Sequence, residues 1–114
     1  MPYIEAKLSV KLDDSKKEDL QAKLTDAVSA AFSKPKAYIM TNLEDGKSIY
    51  MARKQIDGAY LSIGLLGSAS KTACQGLTKS ICDILAEYGI AGSNVYVTYH
   101  PTELWGWNVQ CFKV

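Results

Sequence analysis

The chain has 114 residues, 47% of them hydrophobic, with thirteen basic and twelve acidic side chains and a formal net charge of +1. That length predicts one domain over residues 1–114, able to bury roughly two thirds of its unfolded surface without disulfides or metal. There is no basic run beyond Lys16-Lys17, no stretch of about eighteen apolar residues and no charged-then-apolar leader, so nucleic acid, membrane insertion and a secretory signal are not expected. A cytoplasmic protein is expected, with secretion that needs no signal peptide left open.

Residues Tyr3 to Val10 alternate, Ile4, Ala6, Leu8 and Val10 against Glu5, Lys7 and Ser9, which predicts a half-buried strand. In Asp13-Asp14-Ser15, Ser15 is followed three residues later by Glu18, the spacing of a capping box. Leu20, Leu24, Ala27, Val28, Ala31 and Phe32 then recur at helical spacing, so a helix is predicted from Ser15 to Phe32. Pro35 stops it. Ala37 to Asn42 reads as a second strand, Glu44-Asp45-Gly46 as a turn and Lys47 to Met51 as a short third strand.

Gly58 introduces a strand over Ala59 to Leu66. Ser68 or Ser70 can cap a second helix whose inner face is Ala73, Leu77, Ile81, Ile84, Leu85 and Tyr88, closed by Gly89. Val95 to Tyr99 is a further strand, and short strands at Trp105 to Trp107 and Val109 to Phe112 finish the chain. Strand-helix-strand occurs twice, so the second half reads as a degenerate copy of the first. The expected fold class is α+β: duplicated β-α-β units forming a four-stranded main sheet, two helices on one face and short extra strands. Tyr3, Tyr60 and Leu66 give the other face some apolar character, and another subunit is expected to meet it.

Conventional catalytic motifs are absent: there is no GxSxG, no HExxH and no phosphate-binding glycine loop. Cys74, Cys82 and Cys111 are odd in number and far apart, so they read as buried structural thiols, and neither a metal site nor a cofactor is expected. His100, just before Pro101, reads as a loop residue rather than a base. Met1-Pro2 on its own reads as an ordinary start to a strand. If Met1 is trimmed, however, Pro2 presents a secondary amine. An α-amino group titrates at about 7.7–8, and burial or a nearby cation lowers that value into the range useful to a general base.

Taken in order, Met1-Pro2, Lys34-Pro35 with Tyr38 four residues after the lysine, Ser62-Ile63-Gly64, Val95-Tyr96-Val97 and Gly106-Trp107-Asn108 followed by Phe112 resemble the macrophage migration inhibitory factor family. The resemblance spans essentially the whole chain. It implies a homotrimer whose sheets form a barrel, with an active site at each subunit interface. It also implies keto–enol tautomerase activity on phenylpyruvate-like and dopachrome-like substrates, small aromatic 2-keto or enol acids.

In that picture Pro2 is the catalytic base, and Lys34 pairs with a substrate carboxylate or enolate oxygen. Ser62 and the backbone amide of Ile63 also contact substrate. Tyr96 and Thr98 come from the neighbouring chain, while Tyr38, Trp105, Trp107 and Phe112 line an apolar slot. The resemblance further implies cytokine-like activity and a receptor protein as partner. The competing readings are a cytokine-like or receptor-binding protein with vestigial or no catalysis, and an inactive trimeric scaffold.

The residues alone leave Lys34 a second role, because a cation is stabilised at a helix C-terminus. They also leave Trp105 and Trp107 as pocket wall or subunit contact. Departures from the family pattern are concentrated in three places. Tyr50-Met51-Ala52-Arg53-Lys54 replaces a glycine-rich turn, Thr98 replaces an asparagine, and Asn108-Val109-Gln110-Cys111-Phe112 replaces the usual ending. The family's CxxC is missing, with Gln55 and Gly58 near its place, so no thiol–disulfide activity is expected.

Overall fold

A computed structural model describes residues 1–114. The first strand, β1 (Pro2–Leu8), buries Pro2, Ile4, Ala6 and Leu8 and turns Tyr3, Glu5 and Lys7 the other way. It stops at Leu8, short of the predicted Val10, because Ser9 leaves the ladder to exchange two hydrogen bonds with Gly58: its N–H donates to the Gly58 carbonyl at 3.0 Å, and its hydroxyl accepts from the Gly58 N–H at 2.9 Å.

Helix α1 (Asp14–Phe32) is capped by Asp13 rather than Ser15, the Asp13 carboxylate accepting from Lys16 N at 2.8 Å. A carboxylate at the N-cap satisfies an orphan amide and the helix dipole together, so the predicted Ser15–Glu18 box does not form. Leu20, Leu24 and Val28 recur every four residues and are fully buried. Ser33 ends the helix in a left-handed conformation, φ +52°.

The start of the predicted second strand is instead a 3-10 turn over Lys36–Tyr38, with Tyr38 N donating to the Pro35 carbonyl at 3.2 Å. The strand proper, β2, is Met40–Glu44. Of the predicted strand over Lys47 to Met51 only β3 (Tyr50–Met51) finds a partner, β4 (Lys54–Gln55), across a tight turn with Ala52 and Arg53 at φ +51° and +67°.

Strand β5 (Ala59–Leu66) forms as predicted. Helix α2 (Lys71–Ala86) takes Ser70 as its cap, the hydroxyl accepting from Ala73 N at 3.1 Å, and buries Leu77, Ile81 and Leu85. Strand β6 (Val95–Thr102) runs past the predicted Tyr99 and through Pro101. Proline is tolerated because β6 is an edge strand, where a missing N–H leaves no partner unsatisfied. His100 is therefore a strand residue, not a loop residue. A separate hairpin, β7 (Leu104–Trp107) and β8 (Gln110–Lys113), closes the chain.

The main sheet has the order β2-β1-β5-β6, with β1 and β5 antiparallel at its centre and each parallel to its own outer strand. These are the two expected β-α-β units, set back to back. Both helices lie on one face, over a core of thirteen buried residues that includes Ile4, Leu8, Leu61, Ile63 and Ile90. At the outer ends of the helices Lys23 pairs with Asp19 and Glu87, each at 3.1 Å, and the Tyr88 hydroxyl donates to Asp19.

No helix covers the other face, which carries Tyr3, Glu5, Lys7, Asn42, Tyr60, Ser62, Tyr96, Thr98 and His100. Its composition is more polar than Tyr3, Tyr60 and Leu66 suggested. None of the three cysteines is fully buried: Cys74 and Cys82 are half-buried on α2, and Cys111 is exposed because β8 belongs to the outlying hairpin rather than the core. No helix is long and apolar enough to cross a membrane.

Candidate active site

The start of β1 opens into a cleft of about 650 Å³, lined mainly by Pro2, Tyr3, Tyr38, Met40, Trp105 and Trp107. Pro2 suits that place because the first residue of a strand need not donate to the ladder. It pairs in register with Leu65, and its ring is buried against the helix side. The 3-10 turn throws Tyr38 out of the sheet to meet the β7–β8 hairpin. There its ring stands edge-on to Trp107, centroids 5.6 Å apart and planes at 81°. Phe112 backs the same indole at 6.4 Å. Trp105 lies across Gly64, where a methyl group would meet the indole ring at an ordinary contact distance of 3.8 Å.

Lys34 is fixed by the way α1 ends. Its N–H donates to the Ser29 carbonyl at 3.2 Å, its own carbonyl accepts from the Ser29 hydroxyl at 2.6 Å, and its Nζ donates to the Leu66 carbonyl at 3.2 Å. No carboxylate lies within ion-pair distance of it, so its charge stays available to the cleft. The effect registers at the chain terminus. Burial first, and the Lys34 charge second, hold the Met1 amine below its ordinary value of 8.0.

Pro2, Tyr38, Trp105 and Trp107 thus line one cleft, with Phe112 supporting Trp107 and Lys34 near enough for its charge to act on the chain terminus. The remaining predicted site residues do not join them within one chain. The Ile63 side chain is fully buried in the core, inside a strand flanked by β1 and β6. Ser62 faces the uncovered side, between Glu5 and Thr98 in register. Tyr96 and Thr98 lie farther along that face, where the Thr98 hydroxyl is 2.7 Å from Tyr60 Oη and 2.8 Å from His100 Nε2.

Tyr3, Ala37, Ile39, Met40 and Gly106 also line the cleft and escaped the sequence reading. The signal for Tyr3 was its alternation away from the core directly after Pro2, and Met40 is its register partner on β2. No group of three His, Cys, Asp or Glu side chains gathers where a metal ion could be held. The cleft offers the chain terminus, whose Met1 amine is of lowered basicity, and an aromatic slot, with the Lys34 cation near enough to act on that terminus. These are the parts a 1,3-proton shift needs: a base, a site for developing negative charge and walls that exclude water.

The family model for macrophage migration inhibitory factor (MIF) matches residues 1–112. The chain belongs to the MIF family. Among solved structures it is similar to MIF2 from Leishmania major, at 27% identity with a TM-score of 0.91 over 98% of this chain and 97% of that one. It also shares its fold with Pt0534 inactivated by 2-oxo-3-pentynoate, at 19% identity with a TM-score of 0.79 over 92% and 90% of the two chains. The Q0 fused 4-OT wild-type symmetric trimer gives 17% identity and a TM-score of 0.77 over 88% and 85%. No curated protein matches the sequence. The MIF-family fold, with two helices on a mixed four-stranded sheet and short extra strands, is the tautomerase fold that the sequence resemblance implied.

Proposed function

We propose that this MIF-family protein is a keto–enol tautomerase in which the Pro2 nitrogen, freed by removal of Met1, is the general base. One observation carries the reading: the Pro2 nitrogen opens onto a cleft walled by Tyr38, Trp105 and Trp107, and the Met1 amine next to it is held below its ordinary value first by burial and then by the Lys34 cation. The substrate class is a small aromatic 2-keto or enol acid. Its ring fits the aromatic slot, and its carboxylate or enolate oxygen is drawn to Lys34. The neutral Pro2 nitrogen takes the proton from the carbon next to the carbonyl, electrons move onto oxygen, and the protonated amine returns the proton to that oxygen. Run backwards, the same steps ketonise an enol. Inactivation of the similar Pt0534 by a 2-oxo acid supports this class.

The same proposal includes a homotrimer, supported by the uncovered sheet face and by the symmetric trimer of the similar 4-OT. A neighbouring chain would then bring Tyr96 and Thr98 to the cleft, which one chain alone does not do. The enzyme is proposed to work in the cytoplasm. A receptor-binding role beside catalysis is favoured by one feature, the exposed Leu104, Val109 and Val114 on the terminal hairpin.

The test is ketonisation of the enol of hydroxyphenylpyruvate, followed with protein whose intact mass shows Met1 removed. Native protein is expected to turn over, and Pro2→Gly to lose about a hundredfold or more in kcat/KM, the usual contribution of a general base. No native rate above buffer, or full activity in Pro2→Gly, refutes the proposal. A strict monomer by native mass spectrometry refutes the shared site.

A further inference from the structure

Three side chains on the uncovered face form a hydrogen-bonded row, of which the catalytic proposal uses only Thr98. Tyr60 Oη lies 2.7 Å from Thr98 Oγ1, and Thr98 Oγ1 lies 2.8 Å from Nε2 of His100, the chain's one histidine. Thr98 has a single proton to donate. If it donates to a neutral imidazole, it must accept from Tyr60, and the phenolic proton is tied up. If the imidazole is protonated, Nε2–H donates to Thr98, Thr98 donates to Tyr60, and the phenolic O–H is released to point elsewhere.

We propose that Tyr60, Thr98 and His100 form a reversible hydrogen-bond relay, in which protonation of His100 turns Tyr60 from a committed donor into a free one for an anionic oxygen. Histidine is the side chain suited to such a reversal near neutral pH. Tyr60 also lines a hollow of about 320 Å³ with Tyr96, Lys7, Lys47 and Glu44, in which Lys7 pairs with Glu5 and Lys47 with Glu44. This deepens the proposed function, since it rests on the Tyr96 and Thr98 edge joining a neighbour's cleft. Tyr60 is then a positioning residue for the acid group of the substrate.

The surroundings of His100 leave the row intact. Tyr3 on β1 and Gly64 on β5 share its register level, Trp105 packs over Gly64, and no ion pair includes His100. The charged groups on the same face, Glu5 and Lys7 on β1, pair with each other at 3.5 Å; Glu44 on β2 pairs with Lys47, also at 3.5 Å. Tyr60 and Tyr96 are the remaining titratable groups of this face on β5 and β6.

Long-range nitrogen–proton NMR of the single histidine tests the relay without any turnover. The neutral imidazole of the native protein should carry its proton on Nδ1, leaving Nε2 to accept. Thr98→Val should abolish that preference, because Nε2 loses the hydroxyl it accepts from. Tyr60→Phe should keep the tautomer. A native Nε2–H tautomer, or a tautomer unchanged by Thr98→Val, overturns the relay even if the enzyme turns over as proposed. In the tautomerase assay, native KM should rise as His100 loses its proton and Tyr60→Phe should remove that dependence. A KM in Tyr60→Phe that still follows the histidine overturns the role of Tyr60 while leaving Pro2 catalysis standing.

Discussion

Lys34 Nζ donates to the Leu66 carbonyl at 3.2 Å, tying the end of the first helix to the end of a central strand and holding a cation beside the chain terminus. Its charge is the second cause, after burial, of the lowered basicity of the terminal amine. A base works when deprotonated, so kcat/KM should climb with pH as the Pro2 amine loses its proton and then level off. In Lys34→Ala the loss of a nearby positive charge should shift the climb to higher pH, and KM for a keto acid should rise. A pH–rate profile of both proteins, each with Met1 removed, checks this.

In protein that keeps Met1, the Met1 amine links to stability in a fixed direction. Its folded pKa lies below its unfolded value of 8.0, so between the two the unfolded chain binds more protons. The contribution is complete above that unfolded value and is lost as pH falls through the folded one. Lys34→Ala should narrow this window, as read by denaturant midpoints measured at several pH values.

Trp107 should matter to binding more than to folding. It touches Tyr38 and Phe112, and an aromatic pair contributes about 0.5–1.5 kcal/mol beyond simple burial. Trp107→Ala is expected to lower kcat/KM by about tenfold with a native circular dichroism spectrum. An unchanged kcat/KM would place the aromatic slot elsewhere.

Leu61 sits fully buried in β5 beneath the two helices. Leu61→Ala leaves a cavity where close packing cannot relax, and a loss of about 2–5 kcal/mol is expected. Urea unfolding measures it directly.

The β7–β8 turn runs the other way. Asn108 and Val109 have φ +49° and +58°, and a β-branched residue is strained in that region. Val109 is also fully exposed, so its side chain gains nothing from packing in one chain. Val109→Gly completes an Asn-Gly turn suited to both angles and should stabilise the protein by about 0.5–1 kcal/mol. A lower melting temperature would show that the Val109 side chain is held by another molecule.

Much of the fold could be read from spacing. The buried sets Ile4-Ala6-Leu8, Leu20-Leu24-Val28 and Leu77-Ile81-Leu85 each announced an element and its inner face. Boundaries were harder, because Asp13, Asp14 and Ser15 can all cap a helix and the choice falls to whichever carboxylate or hydroxyl meets an amide. Pro101 looked like a strand end because position in the sheet, edge or centre, is not a local property. Tyr38 shows the same limit at the site: an apolar run after Pro35 suits a strand or a turn, and only the packing of the terminal hairpin decides. Lys34 is held near the chain terminus because Leu66, at the far end of another strand, offers a carbonyl to the lysine. No spacing between residues 2 and 34 encodes that.

The back-to-back duplication gives the sheet two similar hollows at opposite ends. Pro2 and the turn around Tyr38 border one, and Ala59 with the second 3-10 turn, around Asn94, borders the other. Each is bordered by a strand start and a 3-10 turn, yet the nitrogen of Ala59 is an ordinary peptide amide with no basic lone pair. Under the proposed mechanism only the first, once Met1 is removed, holds a nitrogen able to take a proton.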